Sequence, residues 1–159
     1  PPRSTLFPYT TLFRSNFPEH RAAVCSPSKT VYIDQAVTVI GERINPTGNK
    51  QLKLTLKDGD LDRAVFEALE QKKHGAQILD VNVSIPGTDE LCLMKKLALE
   101  LAYIVNLPLQ FDSINSVVLE EALRIYPGKA IINSVSGKKT SIEAILPIAK
   151  KYGALLVCL

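Results

Sequence analysis

The chain has 159 residues, 46% of them hydrophobic and 22% charged, with a formal net charge of +3. That is chain enough for one domain with a real core, and no apolar run approaches the ~20 residues that span a bilayer. Setting aside residues 1–15, which hold Arg3 and Arg14 and no acid, leaves 17 basic against 16 acidic side chains, so no basic stripe argues for nucleic acid.

Residues 1–15 contain Thr-Leu-Phe twice, with Arg-Ser on either side in inverted order. They lack the charged start, long apolar centre and small-residue cleavage site of a signal peptide. They are similar to translated adapter sequence, and a non-native leader is expected there. Residues 16–36, with Pro18 and Ser26-Pro27-Ser28, read as an interdomain linker with a short β segment at Thr30-Val31-Tyr32-Ile33. Such a lead-in suggests another domain upstream. Residues 37–159 hold the main domain.

Within that domain short apolar runs alternate with helical patterns. The first strand is expected over residues 37–41. A polar connection follows over 42–59, with Pro46, Gly48 and Gly59 as turn formers and one helical turn between Lys50 and Leu56. Asp60 is placed to cap a helix whose apolar face is Leu61, Val65, Ala68 and Leu69, ending at Gly75. Ala76 to Val83 is the second strand. Thr88 opens a second helix with the stripe Leu93, Leu97, Leu101 and Ile104. Leu107 to Asp112 is the third strand. Asn115 or Ser116 caps a third helix that runs to Tyr126. Lys129 to Ser134 is the fourth strand. Thr140 and Glu143 fit a capping box for a fourth helix, which contains Pro147 and ends before Gly153. Ala154 to Leu159 is the fifth strand.

Strands alternating with helices predict βα units on a parallel sheet. Five such units are the first part of a (β/α)8 barrel, which takes roughly 250 residues when complete. The expected fold is therefore α/β, a TIM-type barrel broken off after its fifth strand.

Four of the five runs lead to an amide or a carboxylate: Asn45 after the first, Asp80 and Asn82 on the second, Asp112 on the third and Asn133 on the fourth. Parallel strands point one way, so these groups gather on one face, where βα barrels keep their sites. A carboxylate there can accept a ring N–H and an adjacent amino group together, as it does from arginine. An amide can read a ring nitrogen or a carbonyl. The set suits the polar edge of a 2-amino-4-oxo-pyrimidine. No cation stands at the strand ends, although Arg43 and Lys50 lie near enough to meet an anionic tail. There is no GxGxxG, no phosphate-binding P-loop and no nucleophile elbow. Cys25, Cys92 and Cys158 are too few and too scattered for a disulfide framework, which suggests a reduced, cytoplasmic setting. His20 and His74 have no partners at ligand spacing, so no metal is expected.

The motifs Gly41-Glu42-Arg43-Ile44-Asn45-Pro46-Thr47-Gly48, Ile78-Leu79-Asp80-Val81-Asn82-Val83, Leu109-Gln110-Phe111-Asp112-Ser113 and Ile132-Asn133-Ser134-Val135 occur in this order. Together they resemble the pterin-binding (folate) domain of cobalamin-dependent methionine synthases and related methyltetrahydrofolate:corrinoid methyltransferases. Cys25 to Val31 is similar to the segment that precedes that domain. The resemblance implies a dihydropteroate synthase-like barrel. It also implies that Asp112 holds the pyrimidine edge of methyltetrahydrofolate and Asn133 the pterin ring, with Asn45, Asp80 and Asn82 lining the mouth. The N5-methyl group would pass to a cobalamin held by a corrinoid-binding domain of the full-length chain. The groups that assist at N5 in that family lie on later strands, so no catalytic residue is expected within 37–159. Ser84 stands where the family usually has Gly, Ser136 where it usually has Asn, and Phe111 where it usually has Ile. Crowding at Ser84 and a lost contact at Ser136 are the expected consequences. A dihydropteroate synthase-like enzyme and a non-catalytic pterin-binding module are the alternative readings.

Overall fold

The computed structural model describes residues 21–33 and 37–159. The expected leader, Pro18 and His20 lie outside them. The elements are β1 (Ala23–Cys25), β2 (Thr30–Tyr32), β3 (Ile40–Ile44), α1 (Lys50–Lys57), α2 (Asp62–Lys73), β4 (Ile78–Val81), α3 (Glu90–Ile104), β5 (Leu109–Asp112), α4 (Ser116–Ile125), β6 (Ile131–Val135), α5 (Lys139–Tyr152) and β7 (Leu155–Cys158). Strands β3 to β7 form one parallel sheet in chain order. Helices link successive strands, so the sheet is an arc of a βα barrel, as expected.

Side-chain alternation splits the arc into two faces. Leu79, Val81, Leu109, Phe111 and Ile132 pack outward into the helix layer with Leu97, Leu101, Leu119 and Ile145. Ile78 and Ile131 face the other way and form a separate cluster with Val24 and Val31. Those two valines belong to an antiparallel hairpin, β1–β2, which packs against the lower inner face of the arc. The 16–36 lead-in thus contains more than a short β segment. Cys25 and Lys129 exchange both backbone hydrogen bonds, 2.9 and 3.0 Å long. Ser26 Oγ donates to Asn106 Oδ1 at 2.7 Å.

Several element ends differ from the sequence reading. The first strand starts at Ile40 and runs through Glu42 and Arg43, because register with β4 pairs Gly41 with Leu79 and Ile44 with Val81. Val37, apolar but 91% exposed, lies outside it. The single turn at Lys50–Leu56 is a full eight-residue helix, capped by Asn49 Oδ1 accepting from Leu52 N. Helix α2 buries Ala64, Glu67, Ala68 and Gln71, and turns Leu69 outward. Asp89 rather than Thr88 caps α3, and Ile104 is half-exposed, with Met94, Ala98 and Ala102 filling the buried stripe. Asn115 caps α4, as expected. Helix α5 begins at Lys139 without a side-chain cap, so the Thr140–Glu143 box does not form. It passes through Pro147 as one element and stops at left-handed Gly153 (φ 66°).

Candidate functional site

The C-terminal ends of β4, β5 and β6 bring four of the five expected residues together in two hydrogen-bonded pairs. Asp112 and Asn133 are cross-strand partners. Asn82 Nδ2 donates to Asp112 Oδ2 at 2.8 Å. Asn133 Nδ2 donates to Asp80 Oδ1 at 3.2 Å. Asn45 stands apart. Its Oδ1 accepts from Thr47 N at 2.9 Å, and it lines a neighbouring hollow with Glu42, Arg43 and Thr47. The backbone still ties the two regions, since Asn82 N donates to Ile44 O at 2.9 Å.

These partners decide what each side chain has left to offer. Asn82 is mostly committed: its nitrogen serves Asp112 and its oxygen accepts from Ser84 N at 2.9 Å, which leaves one amide hydrogen. It orients Asp112 and is not itself free to read a ligand by its oxygen. Asp112 keeps Oδ1 free of these contacts and is only half-buried. Asn133 keeps its oxygen and one amide hydrogen. Next to this pair a cavity of about 410 Å3 opens between β5, β6 and the start of α5, lined by Asp112, Ser113, Asn133, Ser134 and Ser141 among others.

Asp80 lies one layer deeper and is buried. Its neighbour across β5 is Gln110, whose Nε2 donates to Asp80 Oδ1 at 2.5 Å. Burial raises the Asp80 carboxyl above the ordinary aspartate range. The hydrogen bonds from Gln110 and Asn133 oppose that rise, and the charges of Asp112 and Glu42 add to it. Gln110 and Glu42 were not picked out from sequence. Both were legible in principle, because each sits two residues from an inward position on its strand, Gln110 from Asp112 and Glu42 from Ile40.

Ser113 is also buried. It donates to Glu90 Oε1 at 2.6 Å and accepts from Asn115 N at 3.1 Å, which fixes the turn from β5 into α4. Ser84 is exposed and joins the rim through its backbone N–H, which donates to Asn82 Oδ1. Ser136 N donates to Ser141 Oγ at 3.0 Å, and Ser136 lines the cavity. Phe111 packs outward, edge-on to Tyr126 with centroids 5.6 Å apart. Among the described residues no group of three His, Cys, Asp or Glu is placed to hold a metal ion. His74 sits on the outer helix layer with Nδ1 2.7 Å from the Glu70 carbonyl oxygen.

A βα arc with acids and amides at the carboxyl ends of its strands defines a barrel protein that binds a small polar molecule at its mouth. Residues 41–159 match the family model described as pterin binding enzyme. The chain belongs to the pterin-binding enzyme family. It is 33% identical over 131 residues to methionine synthase from Mycobacterium tuberculosis, covering 79% of this chain and 11% of that protein. It is 31% identical over 129 residues to methionine synthase from Mycobacterium leprae, again covering 11% of the relative. The chain thus spans about a tenth of the length of these curated relatives. Among solved structures, Yersinia pestis DHPS with a pterine-sulfa conjugate aligns with a TM-score of 0.59 at 20% identity, over 86% of this chain and 48% of that one. The 7,8-dihydropteroate synthase of Vibrio fischeri aligns with a TM-score of 0.56 at 19% identity, over the same shares of the two chains. These likenesses establish the dihydropteroate synthase-like barrel fold.

Proposed function

We propose that this chain is the pterin-holding part of a cobalamin-dependent methionine synthase and binds methyltetrahydrofolate for transfer of its N5-methyl group to cob(I)alamin. The observation that carries the reading is the Asp112–Asn133 pair. It sets one carboxylate and one amide side by side on adjacent strands, with Asn82 holding the carboxylate. Asp112 accepts the ring N–H and the 2-amino group of the pterin, and Asn133 takes the adjoining edge. Asn45, with Glu42 and Arg43, lines the neighbouring hollow. The two methionine synthase relatives favour this reading over dihydropteroate synthesis.

The described residues offer no cradle or ligand for a corrinoid, since His74 is turned away on the outer layer. The reading therefore assigns cobalamin to a corrinoid-binding domain of the same full-length protein, and no step through it is drawn from these residues. Their work is to bind and orient the folate. The tertiary amine N5 leaves readily only when protonated or strongly hydrogen-bonded, and no described residue is given that task. The setting proposed is cytoplasmic; among the described residues no helix is long and apolar enough to cross a membrane.

Titration calorimetry with methyltetrahydrofolate tests the reading. Asp112→Asn is expected to weaken binding by about 1–3 kcal/mol, the scale of a hydrogen bond to a charged group. Unchanged affinity removes Asp112 from the site. Tighter binding of a dihydropterin pyrophosphate than of methyltetrahydrofolate would move the assignment to dihydropteroate synthesis. A full-length protein that binds the folate but never methylates added cob(I)alamin would be a binding module.

A further inference from the structure

Away from the mouth, a hollow of about 370 Å3 lies on the open flank of the arc, where β3 ends the sheet. Arg43 of β3 lines it, together with Arg63, Phe66, Glu67 and Glu70 of α2 and His74 at the end of that helix. The α2 positions recur at steps of three and four residues, so they form one ridge of the helix. From residue 63 to residue 74 the ridge is about 16 Å long at 1.5 Å per residue, or three turns. A ridge of that length is a surface on which a second helix packs. In a closed βα barrel the outer ring of helices continues past the first strand and supplies one.

The charges in this groove do not balance. Two guanidiniums share one carboxylate: Arg63 Nη2 donates to Glu67 Oε1 at 2.5 Å, and Arg43 Nε donates to Glu67 Oε2 at 3.2 Å. Asn49 Nδ2 takes a further place on Oε1 at 3.1 Å. Glu70 is turned to Lys73, 3.6 Å away. One positive charge is left over. Water meets it at Arg43, whose side chain is 69% exposed. Water does not meet Arg63 Nε, which is buried and has no hydrogen-bond partner among the described residues. An arginine stays charged, so that N–H calls for an acceptor. Phe66 stands beside it, 51% exposed, with the Arg63 guanidinium 5.0 Å from its ring centroid. An unmet donor and a half-bare ring thus occupy neighbouring places on one ridge.

We propose that this hollow is a helix-docking groove. Its occupant is an amphipathic helix of the segment that closes the barrel in a longer protein, and it sets an aspartate or glutamate against Arg63 and an apolar side chain over Phe66. A carboxylate suits the place better than a neutral acceptor, because it meets the N–H and offsets the surplus charge together. The inference stands on the fold and is independent of what the mouth binds.

The test compares the 159-residue chain with the same chain extended by the sequence that follows the matched region in the Mycobacterium tuberculosis relative. Hydroxyl-radical footprinting at low protein concentration, read residue by residue by mass spectrometry, reports exposure. The extension should slow oxidation of Phe66 several-fold and leave that of Tyr103, exposed on α3, unchanged. Arg63→Met removes the donors and keeps the stem. It should raise the unfolding equilibrium constant about tenfold more in the extended protein than in the 159-residue chain, the scale of one hydrogen bond to a charged group. Equal oxidation of Phe66 in both forms, or an equal effect of Arg63→Met in both, overturns the inference. Protection of Phe66 that rises with the concentration of the 159-residue chain alone gives the groove to a second copy and also overturns it. Should the extended protein fail to fold, the 159-residue chain is titrated with a helical peptide carrying glutamate and leucine on one face, and with a counterpart carrying lysine in place of glutamate. Protection of Phe66 by the first peptide alone supports the groove; protection by both or by neither overturns it.

Discussion

Asp80 is a buried carboxyl among the polar strand ends. Its carboxyl is raised by burial, so the protonated form favours the fold. Stability from this group is full below the ordinary aspartate value and is lost as pH rises through the raised folded value. Above that folded value the folded state carries the cost of a buried charge. Asp80→Asn, of the same shape, should therefore raise the urea midpoint at pH 7, and the gain should shrink as the pH falls through the folded value. A lower midpoint at pH 7 would mean that the contacts from Gln110 and Asn133 outweigh burial. The polar ends of the runs were legible because strand direction alone brings Asp112 and Asn133 together. The internal division of labour was not. Asn45 and Asn82 each spend their oxygen on the backbone N–H two residues on. A local turn of this kind and a ligand contact use the same residue type, and sequence does not separate them.

At the scale of elements, two junctions hold the arc in shape. The first centres on Glu67, a buried carboxylate on α2. It accepts from Arg63 at 2.5 Å, from Arg43 of β3 at 3.2 Å and from Asn49, the cap of α1, at 3.1 Å. Burial pushes its carboxyl up, but Arg63 and Arg43 outweigh that and hold it below the ordinary glutamate value. Its contribution is therefore present above the ordinary value and lost as pH falls through the lowered one. Glu67→Gln should cost about 1–3 kcal/mol at pH 7, less than a fully buried pair because Arg43 can turn into water. Chemical denaturation at pH 7 and again in acid checks this, and the loss should be smaller in acid. The second junction is where the hairpin meets the turn before β6. A Cβ on Gly128 would stand 2.2 Å from the Cys25 carbonyl oxygen and 2.7 Å from the Tyr126 ring. Gly128→Ala should push the hairpin off and destabilise by about 1–3 kcal/mol, the scale of overpacking, seen as a lower urea midpoint. An unchanged midpoint would mean that the hairpin contributes little. The alternation of strands and helices was legible from periodicity. The hairpin junction was not, because it depends on Cys25 meeting Lys129 across more than a hundred residues. The polar lower half of α2 was missed for a related reason: Glu67 and Gln71 are buried by partners on β3 and α1, which no local period reveals.

The whole molecule is an arc whose two outer strands, β3 and β7, have no further strand beside them among the described residues. A barrel of this type closes with eight. Unpaired backbone on a parallel sheet is a template for another chain, and here the inner face beside β7 offers Leu155 and Val157, both only partly covered. The 159-residue polypeptide by itself should therefore associate. Sedimentation velocity should give a mass above the 17.5 kDa of one chain, rising with concentration. Val157→Lys, which puts a charge on the inner face of the edge strand, should reduce that association. Extending the polypeptide with the sequence that follows the matched region in its methionine synthase relatives should return it to a monomer, because the added strands would pair with both edges and enclose the polar mouth. On the proposed reading, in which Asp112 and Asn133 hold the pterin, the same extension should tighten methyltetrahydrofolate binding, since excluding water strengthens hydrogen bonds. A 159-residue chain that stays monomeric at high concentration and binds the folate as tightly as its extended form would show that the arc is self-sufficient. The site would then have to be understood as an open groove rather than one wall of a barrel mouth.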